Sequence, residues 1–177
     1  MRKIQKKIVL FLCIVILGTA LPLDSRAEGL SNETWAAVSA GWYHSLGLKA
    51  DGTLWAWGSN TYGQLGTGDK NSYLLPKQVM AGIAMADAGE THSLALSRDG
   101  TLWVWGANDL NQLGTADEQD SLIPVHLLDG VSFAATNYTH SFAIKEDGSL
   151  WAWGDNSKGQ LGAGDMEAHT EPVKVLD

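Results

Sequence analysis

One spacing constrains this chain more than any other property: a period of 48 residues without a single insertion or deletion. His44, His92 and His140 keep it, as do Trp57, Trp105 and Trp153, then Gly66, Gly114 and Gly162, then Pro76, Pro124 and Pro172. Independent markers held in one register mean that each copy is the same structural unit, and periods of about 20–50 residues belong to solenoids, propellers and arrays. A unit this short has too little interior to stand alone and must bury its apolar surface against its neighbours.

Each copy reads as a set of short strands. Ser45-Leu46-Gly47-Leu48, Ser93-Leu94-Ala95-Leu96 and Ser141-Phe142-Ala143-Ile144 place large residues on one face and small ones on the other, the alternation of a strand. Asp51-Gly52, Asp99-Gly100 and Asp147-Gly148 follow, and Gly there supplies the positive φ that a hairpin turn demands. The returning strands are Thr53-Leu54-Trp55-Ala56-Trp57 and its counterparts ending at Trp105 and Trp153, so both tryptophans of a copy face one way. Fainter strands precede the histidine, as in Trp35-Ala36-Ala37-Val38, and follow the proline, as in Pro172-Val173-Lys174-Val175, where Pro at a strand's first position removes no ladder bond. No segment of the mature chain carries apolar residues at helical spacing for three turns. The prediction is an all-β chain whose three 48-residue repeats are β-propeller blades of four antiparallel strands. The six paired tryptophans are read as packing between blades, because each can bury on the order of 150–250 Å².

The string from His44 through Asp51-Gly52-Thr53-Leu54-Trp55-Ala56-Trp57-Gly58, followed by Asn60 and Gly63-Gln64-Leu65-Gly66, resembles the repeat of the regulator of chromosome condensation family. The later copies keep the frame, with Asn111-Gln112-Leu113-Gly114 and Gly159-Gln160-Leu161-Gly162. The likeness runs from about residue 35 to the end, and neither the Trp-Asp close of WD blades nor the Gly-Gly pair of kelch blades is present. The resemblance implies a seven-bladed ring, and the family's name implies guanine-nucleotide exchange on a small GTPase. Three copies make an incomplete, open propeller, with a Trp-rich or Leu-rich blade face bare at either end. Two expectations follow: the chain is a fragment of a seven-bladed protein, or copies self-associate to cover those faces.

The amino terminus reads as an export signal. Arg2, Lys3, Lys6 and Lys7 precede an uncharged apolar run from Ile8 to Leu17. That run is shorter than the roughly 20 residues of a membrane-spanning helix, so no stable span is expected after cleavage. Ser25 and Ala27 favour a cut after Ala27, with Gly18 and Ala20 as a second option and an uncleaved anchor as the alternative. The organisation is then a signal peptide over 1–27, a linker over 28–34, and blades over 35–83, 84–131 and 132–177. Removal of 1–27 takes away the only cysteine, Cys13, and leaves 7 basic and 19 acidic residues, a formal charge of −12. Such acidity opposes nucleic-acid binding and favours a cationic partner or simple solubility. The expected location is secreted or at the cell surface.

No catalytic motif emerges. The three repeated histidines sit in separate blades, do not converge on a metal, and are read as locking their loops through backbone hydrogen bonds. Asp155-Asn156-Ser157-Lys158-Gly159 lacks the alternating acids and closing glutamate of a calcium loop and reads as a solvated turn. Asn32-Glu33-Thr34 and Asn137-Tyr138-Thr139 fit the glycan acceptor pattern, relevant only in a eukaryotic secretory route. The reading is a non-enzymatic protein without cofactor. Where the copies differ, partners are more legible: Gly41-Trp42-Tyr43, Gly89-Glu90-Thr91 and Asn137-Tyr138-Thr139 occupy one ring of loops. Trp42, Tyr43, Glu90, Thr91, Tyr138 and Thr139 are therefore the candidate protein-interaction residues, the alternative being that the aromatics shield a blade edge. A second variable set, including Lys70, Tyr73, Asp117, Glu118, Asp120, Met166 and Glu167, follows the Gly-Gln-Leu-Gly element. The preferred function is an extracellular protein-binding scaffold of unknown partner. Alternatives are nucleotide exchange, a β-lactamase-inhibitor-like propeller, and a carbohydrate- or wall-binding module using Trp42 and Tyr43.

Overall fold

The computed structural model describes residues 34–176; the expected signal peptide and most of the linker lie outside them. Twelve strands form three four-stranded antiparallel sheets, ordered β1-β2-β3-β4, β5-β6-β7-β8 and β9-β10-β11-β12, and the described residues contain no helix. The first blade comprises β1 (Trp35–Ala40), β2 (His44–Lys49), β3 (Leu54–Gly58) and β4 (Tyr73–Met80). The second comprises β5 (Ile83–Ala88), β6 (His92–Ser97), β7 (Leu102–Gly106) and β8 (Ser121–Leu128). The third comprises β9 (Val131–Thr136), β10 (His140–Lys145), β11 (Leu150–Gly154) and β12 (His169–Leu176). The first strands of the blades lie side by side, β5 between β1 and β9, so the array is a continuous open propeller.

The period-2 alternation explains each sheet. Leu48 pairs with Leu54 and Leu46 with Ala56 across β2 and β3, which puts all four on one face; Gly47 with Trp55 and Ser45 with Trp57 form the other. Lys49 closes onto Thr53 around Ala50-Asp51-Gly52, with Gly52 at φ +86°, and Asp51 Oδ1 accepts from the Thr53 amide at 2.8 Å. That amide, then the Thr53 hydroxyl, holds the Asp51 carboxyl below its ordinary range.

Between blades, the leucine face of one sheet meets the tryptophan face of the next. Leu46, Leu48, Leu54 and Leu65 of the first blade bury with Ile83, Ala95 and Trp105 of the second. Leu94, Leu96, Leu102 and Leu113 of the second repeat the arrangement with Val131, Ala143 and Trp153 of the third. Each leucine so buried contributes about 1.5–3 kcal/mol of transfer free energy.

Two expectations need correction. Only Trp105 and Trp153 are wholly buried between blades. Trp57, their counterpart, is half-buried, since no blade lies beyond it among the described residues. Trp55, Trp103 and Trp151 are also half-buried: their indole N–H groups bind Thr53, Ser97 and Ser149 hydroxyls at 3.0, 2.9 and 2.8 Å, tying down their own hairpins. Lys49 and Lys145 lie over the Trp55 and Trp151 rings, 4.5 and 4.9 Å from the centroids.

The prolines, too, stand elsewhere than at a strand's first position. Pro76, Pro124 and Pro172 fall at the fourth residue of eight-residue strands. These are edge strands, and their pairing is bulged there: Ala56 faces Lys77 and Gly58 faces Tyr73, so Leu74, Leu75 and Pro76 stand opposite Trp57 alone. An unpaired residue in an edge bulge has no ladder bond to lose, which is why Pro is accommodated mid-strand.

Candidate interaction face

Antiparallel order puts the loops joining the first two strands of every blade at the same end as the long loops joining the last two. Both variable sets therefore border one face. A buried asparagine organises each long loop: Asn60 Nδ2 donates to Thr67 Oγ1 and the Asp69 carbonyl at 3.1 and 2.8 Å, while its Oδ1 accepts the Leu65 amide at 2.9 Å. Asn108 repeats all three bonds, and Asn156 repeats those to the Asp165 carbonyl and from the Leu161 amide, with Ala163 in place of the threonine. In the turn of Asp155-Asn156-Ser157, Asp155 Oδ1 accepts the Ser157 amide at 2.9 Å, so the side chain already serves the loop's own backbone.

The short loops carry the aromatic residues. Gly41 N donates to the His44 carbonyl and Gly89 N to the His92 carbonyl, both at 2.9 Å, closing tight turns that lift the intervening residues. Glu90 N donates to the Asn137 carbonyl at 3.2 Å, fastening the second loop to the third. Trp42, Glu90 and Tyr138, equivalent positions in the three copies, converge. The Trp42 ring stacks on Tyr43 at 5.5 Å between centroids and meets Tyr138, also at 5.5 Å, at an interplanar angle of 60°. All three rings are exposed, while Glu90 is half-buried. Partial desolvation, then a hydrogen bond to the Glu90 carboxylate, holds the Tyr138 phenol above its ordinary range.

Beneath the cluster is a concavity of about 530 Å³ whose lining includes Ser39, Trp42, Asp87, Glu90, Thr136 and Tyr138. Asp87 ties together all three blades there. Its Oδ1 accepts from Ser39 Oγ at 2.8 Å and its Oδ2 from the Thr136 amide at 3.0 Å. Repetition conceals this residue, because its counterparts are Ser39 and Ala135.

Thr91 and Thr139 do not join the aromatic cluster. Their carbonyls accept the Ala107 and Asp155 amides, both at 3.0 Å, and the Thr139 side chain is buried. Both line a smaller notch of about 130 Å³ together with exposed Tyr62 and Leu110. Tyr62 and Leu110 were absent from the sequence-based set, although their position varies between copies as Tyr62, Leu110 and Lys158. Of the second variable set, Lys70 reaches Asp120 at 3.7 Å, and Tyr73 Oη donates to Asp69 Oδ2 at 2.7 Å.

His44 and His92 bind across blades rather than to backbone, because each of these rings lies at an inter-blade contact; the His140 ring packs edge-on against Phe142 of its own blade. His44 Nε2 is 2.9 Å from Ser93 Oγ, and His92 Nε2 is 3.1 Å from Ser141 Oγ and also meets Thr136 Oγ1. Ser93 Oγ donates to the Gln64 carbonyl at 2.8 Å, so its lone pair takes the Nε2 proton of His44. Nδ1 is then a bare acceptor, and the Nδ1 atoms of His44, His92 and His140 are buried without a partner. Burial lowers His44 to about 4; burial, then the neighbouring histidines, lowers His92 to about 3. These Ser–His pairs are junction elements with no approach from solvent at Ser93 or Ser141. No group of three or more metal-ligating side chains occurs among the described residues, nor any helix long and apolar enough to cross a membrane.

Known proteins carry the same blades. Two family models, each described as the regulator of chromosome condensation (RCC1) repeat, match residues 51–96 and 147–177, and residues 35–64, 86–112 and 131–160. The ultraviolet-B receptor UVR8 of Arabidopsis thaliana is 39% identical over 57 residues, covering 32% of this chain and 13% of that protein. The probable E3 ubiquitin-protein ligase HERC3 of Homo sapiens is 40% identical over 62 residues, 33% of this chain and 6% of that protein. Yeast RCC1 (Prp20), solved bound to Kap60, superposes with a TM-score of 0.74 at 25% identity, covering 84% of this chain and 38% of that one. Human WBSCR16 gives a TM-score of 0.70 at 26% identity, over 81% and 40%. The chain thus spans a small part of these curated relatives and about two-fifths of these solved structures. Three copies of one blade, joined by recurring His–Ser contacts and matched by both models, make this chain a member of the regulator of chromosome condensation repeat family.

Proposed function

We propose that the chain is an extracellular protein-binding propeller that engages its partner through the face bearing Trp42, Tyr43 and Tyr138. The observation that carries this reading is the convergence of three exposed aromatic rings beside Glu90, at the rim of a concavity. Tyr and Trp offer large contact area at little entropic cost and dominate interface hot spots. Glu90 and the acidity of the chain suit a partner that presents basic side chains, which stack on indole and phenol faces as cations. The basic, apolar amino-terminal run supports export, and the role is binding without catalysis.

Relatives support the class of activity. The yeast protein Prp20p is described by its binding to Gsp1p and histones. Nucleotide exchange, by contrast, draws here only on the family name. The test is affinity capture from culture supernatant with the processed chain, compared with Trp42→Ala/Tyr43→Ala and with Trp42→Ala/Tyr138→Ala. Loss of a captured protein in both variants, with unchanged thermal stability, is the expected result. Undiminished capture by both, or recovery of glycan alone, overturns the reading.

A further inference from the structure

We infer that the loop face takes one arginine side chain of its partner into the concavity, the guanidinium set against the Glu90 carboxylate and stacked on the Trp42 or Tyr138 ring. The inference rests on the reading of that face as protein-binding and adds what the face recognises. The site lies over the middle blade, with walls from all three. Ser39 and Trp42 come from the first blade, Asp87 and Glu90 from the second, and Thr136 and Tyr138 from the third. The contacts that shape it run between these blades rather than from the outer faces of the array.

The rings are held in place before any partner arrives. Trp42 stacks on Tyr43 at 24° between planes and 5.5 Å between centroids, and it meets Tyr138 at the same distance. No further group fits between rings so close. An occupant therefore meets the sides that Trp42 and Tyr138 turn to the concavity, which Tyr43 does not line. Tyr43 braces Trp42. Aromatic faces attract a cation through the ring quadrupole, most strongly where water is partly excluded.

The carboxylates supply the opposite charge. Asp87 Oδ1 accepts from Ser39 Oγ at 2.8 Å and the Ala88 amide at 3.1 Å, and Oδ2 accepts from the Thr136 amide at 3.0 Å. Glu90 accepts from the Tyr138 phenol. All these donors are neutral, and among the described residues no lysine, arginine or histidine pairs with either carboxylate. Two uncompensated negative charges thus line the concavity that the two rings border. A guanidinium fits that combination better than an ammonium. It is planar, so it stacks on a ring while its edge donates to a carboxylate, and it surrenders its hydration more readily. The volume of about 530 Å³ accommodates the whole side chain.

The test uses the full chain with its tryptophan indoles labelled with nitrogen-15, the Trp42 signal being assigned by its loss in Trp42→Ala. Arginine amide, lysine amide and citrulline amide, the last a neutral analogue of the first, are titrated separately. A saturable shift of the Trp42 indole is expected with arginine amide, a weaker response with lysine amide and none with citrulline amide. Glu90→Gln keeps the side-chain shape and the backbone bond to Asn137, and circular dichroism verifies its fold. It is expected to weaken arginine amide binding roughly tenfold, the effect of one charge-assisted hydrogen bond. No saturable response to arginine amide, an equal response to lysine or citrulline amide, or an unchanged curve in Glu90→Gln overturns the inference. Capture of a protein from culture supernatant separates the two readings. Capture lost in the aromatic variants but retained in Glu90→Gln overturns the arginine site and leaves the face standing, whereas capture undiminished in the aromatic variants removes the face itself.

Discussion

His44 in the first blade and Ser93 in the second are 49 residues apart and joined at 2.9 Å, and His92 and Ser141 repeat the contact at 3.1 Å. The imidazoles are neutral because burial penalises their charge, so the junctions between blades are titratable.

Stability is expected to fall as pH drops from about 6.5 toward 4. Below about 6.5 the unfolded chain takes up protons that His44 and His92 refuse until about 4 and about 3, so the unfolded state binds more protons throughout that window. The loss is on the order of 2–3 kcal/mol per buried imidazole. Urea unfolding at pH 7.5 and 4.5 measures it. His92→Gln should be less stable at pH 7.5 and show a shallower dependence; an unchanged slope would refute the assignment.

Trp105 donates its indole N–H to the Gln64 carbonyl at 2.9 Å while filling the first junction. Trp105→Phe is expected to cost roughly 0.5–1.5 kcal/mol through the lost bond, since Ser93 Oγ still donates to the Gln64 carbonyl. Trp105→Ala should cost about 3–5 kcal/mol through the cavity as well. Half-buried Trp55 should be more tolerant of Ala, and thermal unfolding of the three variants ranks them.

Asp87 holds the first and third blades to the second through Ser39 and Thr136. Asp87→Ala strands both donors and is expected to destabilise by roughly 1–3 kcal/mol. Amide exchange should rise first in β1 and β9, the strands it ties together. An equal rise in edge strand β8 alone would contradict a clamp.

Gly106 adopts φ +105°, and a Cβ there would come within 2.6 Å of the Thr91 carbonyl oxygen. Gly130, at φ +66°, has open space in that direction. Gly106→Ala is therefore expected to shift the loop or block folding, whereas Gly130→Ala costs about 1 kcal/mol for the left-handed backbone alone. Soluble yield and melting temperature separate the two.

Much of the blade was legible because its signals are local. Alternation in Ser93-Leu94-Ala95-Leu96, the Asp99-Gly100 turn and the paired Trp103 and Trp105 all lie within a few residues of one another. The position of Pro76 was misread because its strand begins at Tyr73, and a bulge opposite Trp57 leaves no alternation to follow. The histidine partner was misread because the serine belongs to another blade. Trp42, Tyr43, Glu90 and Tyr138 were singled out from differences between copies and lie together in the structure, while Asp87 and Tyr62 depart from the repeat outside the loops compared.

By itself the sequence determined the repeating unit: a two-residue alternation, a fixed turn and a 48-residue period leave a four-stranded blade as the way to satisfy backbone and apolar faces together. Only the tertiary structure decided which faces meet. Leucine packs on tryptophan, histidine on serine, and Trp42 reaches Tyr138 because the rotation between successive sheets brings equivalent loop positions toward one another. That rotation arises from contacts about 48 residues apart, where no local pattern of residues can specify it.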